Sequence, residues 1–129
     1  MTKSVLWGCG LFFLGNAVVM WVAPHQWFEA VPGVAATGGY NDHFIRDVAI
    51  AFAVSGMALI AGAKAGNREV ALFGAGFPVL HAVFHVWIWA VHRGYAADIV
   101  ALVNLIGIQA PAWAALWAAA SFGREEAVA

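Results

Sequence analysis

Four side chains in this 129-residue sequence have the types and spacing of a metal site: His43 with Asp47, and His81 with His85, each pair four residues apart. On an α-helix, residues four apart stand one above the other on the same face, so each pair would aim two donors in one direction. Three imidazoles and a carboxylate form a set suited to zinc, copper or iron. Asp47 would serve either as a ligand or as the acceptor that orients His43. The imidazoles of His43, His81 and His85 would equally suit a haem or a quinone-like ligand among the Trp and Phe side chains. A third use needs no ligand. Polar side chains that bond between membrane helices contribute roughly 0.6–2 kcal/mol each and fix which helices are neighbours. His92 continues the His81–His85 face, and Cys9, Asn16 and Met20 share a face where they would add softer donors.

The elements that carry these residues follow from composition. The chain is 64% hydrophobic and 10% charged, against about 45–50% and about 25% in a soluble domain. Such an excess of apolar surface has to face lipid. Four apolar runs, at about 4–23, 42–63, 70–91 and 98–120, each approach the ~20 residues that a helix needs to cross the hydrocarbon. The connectors at 64–69 and 92–95 are short, which predicts an all-α, antiparallel four-helix membrane bundle forming one domain over 1–129. The first run is too long for a signal peptide, and Trp21-Val22-Ala23-Pro24 lacks a cleavage pattern, so it reads as a retained span. A lone cysteine, Cys9, excludes an internal disulfide and any CxxC motif. A net charge of −1 offers no basic face to nucleic acid.

At ~1.5 Å per residue, Asp47 and His85 fall at one depth below the outer boundary, with Asn104 and Asn16 close to it and His81 and Gln109 a layer deeper. The expectation is a polar pocket opening outward. Lys3, Lys64, Arg68 and Arg124 fall on one side, Arg46 and Arg93 on the other, which predicts both termini in the cytoplasm. Between the first two spans, Trp27, Phe28 and Val31 predict one side of a short interfacial helix, Pro32-Gly33 a turn, and Asn41 the N-cap of the second span. Ala58, Gly62 and Gly66, like Ala110, Ala114 and Ala118, read as close-packing positions. Pro78 and Pro111 predict bends.

The segment Val31-Pro32-Gly33, Thr37-Gly38, Asn41 and His43-Phe44-Ile45-Arg46-Asp47, together with Leu80-His81 and His85, resembles small bacterial inner-membrane proteins of about this length. Tyr40 departs from that pattern, which has Pro-Phe-like residues there. The resemblance implies a four-helix bundle in the inner membrane and gives weight to residues 31–47 and 80–85; it implies no reaction. No HExxH, Walker loop, GxSxG elbow or dinucleotide fingerprint is present. No lysine lies inside a span, which removes a retinal-type Schiff base. The expected surroundings are the lipid bilayer and either a second copy or a larger membrane complex.

Overall fold

A computed structural model describes residues 1–122 and contains five helices: α1 (Thr2–Val22), α2 (Pro24–Ala30), α3 (Asp42–Ala65), α4 (Arg68–Val91) and α5 (Ile99–Ser121). No strand occurs among the described residues. All but α2 are long and apolar enough to cross a membrane, with 21 to 24 residues each, or about 31–36 Å against a hydrocarbon core of about 30 Å. The chain is a multi-pass membrane protein. Arg124, counted above for orientation, lies outside the described residues.

The four long helices form a ring: α1 packs on α3, α3 on α4, α4 on the second half of α5, and that half returns to α1. Where α1 and α3 cross, a methyl group on Gly56 would stand 2.6 Å from the Gly10 carbonyl oxygen, so two bare backbones set the distance between the helices. At the end nearer the chain terminus, Leu6, Leu59, Ala63, Ala71, Ala115 and Ala118 have no exposed surface. The turn between α3 and α4 is tighter than its composition suggested. Lys64 still belongs to α3, Gly66 adopts the left-handed conformation that ends it (φ 67°), and Asn67 caps α4 by accepting from the Val70 N–H at 3.1 Å. Two arginines satisfy orphan carbonyls at helix C-termini: Arg46 Nε donates to Trp21 O and Arg68 Nε to Ala120 O, each at 3.3 Å.

The opposite end, the connector end, carries the two longer connectors, 23–41 and 92–98. There a short helix forms, α2, with Pro24 in its first turn, but it ends at Ala30, and Val31, expected on its apolar side, is its extended C-cap. Trp27 and Phe28 are half-buried, while His25, Gln26 and Glu29 are exposed. Trp27 Nε1 donates to Asn16 Oδ1 at 3.0 Å, which ties α2 to α1. Gly33 is pressed against Val100, leaving no room for a side chain, so this connector also rests on the first turn of α5. Asn41 caps α3 as expected, accepting from the Phe44 N–H at 3.0 Å.

Candidate site between α4 and α5

A chain of hydrogen bonds joins α4 to α5 in the connector half, and its direction can be read from one end. An indole N–H only donates, so Trp113 Nε1, 2.9 Å away, fixes the Gln109 atom it meets as Oε1. The other end of that amide, Nε2, donates to Ala82 O at 2.9 Å and to Asn104 Oδ1 at 3.0 Å. With its oxygen taken, Asn104 presents Nδ2 to His85 Nδ1 at 3.1 Å. An amide nitrogen donates, so Nδ1 accepts and the neutral ring carries its proton on Nε2.

The backbone of α5 makes this chain possible. In a straight α-helix, residues five apart diverge by about 140°, and Asn104 could not meet Gln109. Leu105–Gln109 form a π-helical turn in which the Ala110 N–H bonds back to Leu105 O. Pro111 has no N–H for the Gly107 carbonyl, and its ring would crowd that oxygen; the wider turn relieves both. Asn104 and Gln109 therefore share one side, facing α4.

His81 and His85 are neighbours, with ring centroids 4.5 Å apart. His81 stacks on Phe77 at 5.5 Å and meets the edge of Phe52 at 5.6 Å. Neither His81 nor His85 Nε2 has a protein hydrogen-bond partner among the described residues, yet no sealed side-chain nitrogen or oxygen there lacks one. Those ring nitrogens are therefore not fully sealed. His85 lines a groove of about 440 Å³ together with Val86 and Trp89 of α4, Ala97 and Asp98 of the connector, and Ala101, Leu102, Asn104, Leu105 and Gln109 of α5. Its volume lies within the span of about 300–1,000 Å³ usual for small-molecule sites. A smaller groove of about 200 Å³ between α1 and α3 is walled by apolar residues only.

At the connector end of the larger groove, Asp98 caps α5 by accepting from the Ala101 N–H at 3.1 Å and pairs with Arg93 Nη2 at 2.5 Å. The Arg93 hydrogen bond, helped by the Ala101 N–H, holds the Asp98 carboxyl below its usual range. Trp89 Nε1 donates to Ala96 O at 2.8 Å, and Tyr95 packs edge-on against the Trp89 ring at 5.0 Å, folding the connector onto α4.

The four-ligand arrangement expected from the sequence is not assembled. His43 Nε2 lies 3.2 Å from Asp47 Oδ2, but those side chains are 88% and 56% exposed. The buried stripe of α3 runs through Ile45, Ala49, Phe52, Gly56, Leu59 and Ala63. His43 and Asp47 each stand two residues from Ile45, about 200° around the helix, and so face away from α4. No three His, Cys, Asp or Glu side chains come together as a metal-holding group among the described residues. The three-imidazole set of His43, His81 and His85 is divided in the same way. His92 turns to the Trp87 ring at 4.7 Å, Asn16 is engaged by Trp27 and Met20, and Cys9 is buried. Asn104, Gln109 and Trp113 complete the cluster instead. Depth had singled out the first two; Pro111, directly after Gln109-Ala110, was the signal that their register departs from an α-helix. Comparison with protein-family models, with curated proteins and with solved structures gives no match.

Proposed function

We propose that this protein is a membrane-embedded binding protein whose groove between α4 and α5 receives a small amphipathic molecule. The observation that carries the reading is His85, which lines the groove as a neutral imidazole oriented through Nδ1 by Asn104, its Nε2–H without a protein partner among the described residues. Buried polar groups so oriented are the usual means by which an apolar pocket selects and positions its ligand. The bundle would sit in a bacterial inner membrane with both termini in the cytoplasm and the connector end outside. Support for the orientation comes from Lys3, Lys64 and Arg68 at the terminal end, against Arg46 and Arg93 at the other.

A second reading, a ligand-free network that only selects helix neighbours, is favoured by the complete pairing of sealed polar atoms among the described residues. A transition metal on His81 and His85, with its remaining ligands from solvent or from a bound molecule, is the third outcome to separate. Protein purified into lipid nanodiscs without chelator would be extracted for mass spectrometry and assayed for zinc, copper and iron. The expected result is one organic species near one per chain that is lost in His85→Phe. Metal near one per chain, lost in the same variant, would replace the ligand by a metal centre. Neither species, with His85→Phe lowering stability alone, would leave the ligand-free network.

A further inference from the structure

We infer that the occupant of the groove is a neutral carbonyl compound dissolved in the bilayer, of the quinone or long-chain ketone class, and that it enters sideways between α4 and α5. The inference rests on the groove being a binding site, as proposed above. Three observations carry it.

The first is the sense of the free hydrogen-bonding groups. His85 offers Nε2–H, and Asn104 has a second amide hydrogen beyond the one given to Nδ1. Both are donors, while Asn104 Oδ1 and Gln109 Oε1 already accept. A carbonyl oxygen, which only accepts, matches this set. An alcohol could accept too, but its own O–H would have to share Asn104 Oδ1 or Gln109 Oε1 with the N–H each already accepts, whereas a carbonyl asks for donors alone.

The second is charge. Arg93 and Asp98 at the rim pair with each other, so among the described residues no unpaired cation borders the groove to hold a carboxylate or sulfonate. The third is access. At the connector end, residues 92–98 are folded onto Trp89 through Ala96 and Tyr95, so the loop lies across the approach from water. Along the flank, Val86, Leu102 and Leu105 are 46%, 49% and 57% exposed on the lipid-facing side of the bundle. A molecule already in the bilayer meets an apolar opening; one in water meets a folded loop.

The test uses the full chain in nanodiscs and a long-chain ketone carrying a photoreactive diazirine. Labelling is mapped by mass spectrometry, with decylbenzoquinone, decanol and decyl sulfonate as competitors. Saturable labelling of peptides containing Val86 and Leu102 is expected. The quinone should displace it about tenfold better than the alcohol, the net worth of about one hydrogen bond, and the sulfonate should not displace it. Leu102→Trp and Val86→Trp, either of which narrows the flank, should slow labelling, whereas Tyr95→Gly, which loosens the connector, should not change its rate. If the sulfonate competes equally, or a diazirine alkane labels as saturably as the ketone, the carbonyl class is wrong although the groove still binds. If Tyr95→Gly accelerates labelling and the flank variants do not slow it, entry is from water. If no probe labels saturably, this inference and the binding reading fall together.

Discussion

His85 and Asp47 share a depth in the sequence, and their surroundings separate them. His85 is half-buried, and its orientation depends on Asn104, Gln109 and Trp113 in turn. Asn104→Leu removes the partner of both His85 and Gln109, and should cost about 1–2 kcal/mol in detergent unfolding experiments. Asp47→Ala and His43→Ala, at exposed positions, should each cost less than about 0.5 kcal/mol. Equal losses in the two sets would mean that His43 and Asp47 share the buried network after all. Asp98 gives a pH dependence of known sign. Its carboxyl is held below the ordinary value of 3.8 by Arg93 and the Ala101 N–H, so its contribution is complete above that value and disappears as pH falls through the depressed one. Asp98→Asn should remove that step from the acid-unfolding profile; an unchanged profile would show that the pair contributes nothing to folding.

At the scale of elements, α5 is the helix whose local chemistry decides the site. Pro111→Ala returns an N–H to the Gly107 carbonyl and removes the ring that crowds it, so the π turn should relax toward a regular α-helix. Asn104 would then turn by a large angle from Gln109, and loss of the Gln109–Asn104–His85 chain is expected. Nitrogen NMR of His85 reads this directly, because the Nε2-protonated form should give way to a mixture of tautomers. Retention of a single Nε2–H form would separate the turn from the network. The spans, the cap at Asn41 and the short helix at Pro24 were legible in the sequence because apolar runs and capping residues act locally. The direction of His43 and Asp47 was not. A helix bordered by lipid on one side and protein on the other is apolar on both, so polarity does not reveal which face turns inward. The close approach of Gly10 to Gly56 and the Ile45–Phe52 stripe decide it. The α5 network was half legible: Asn104 and Gln109 stood at suitable depths, but five-residue spacing on an assumed α-helix placed them on different sides.

The molecule as a whole divides into two ends. Packing at the terminal end is close, with Leu6, Leu59 and several alanines fully covered and a two-residue turn between α3 and α4. Polar side chains, both longer connectors and the larger groove belong to the other half. A bundle so divided needs its orientation fixed, because only one leaflet can reach the groove. On the positive-inside rule Lys3, Lys64 and Arg68 at the terminal end would set that orientation, with two basic residues, Arg46 and Arg93, opposing them. Arg46 is also engaged with Asp42 and Trp21, and Arg93 with Asp98, so the arginines at the connector end have structural duties of their own. In a Cys9→Ala background, Lys64→Cys should therefore react with a membrane-impermeant maleimide only after the cells are opened, while Ala35→Cys in the exposed connector should react on intact spheroplasts. The opposite pattern would turn the bundle over and put the groove in the cytoplasmic leaflet. Exchanging Lys3 and Lys64 for glutamine should weaken the preference and yield a mixed labelling pattern, since two of the three basic residues counted at the terminal end would be gone, leaving Arg68 against Arg46 and Arg93.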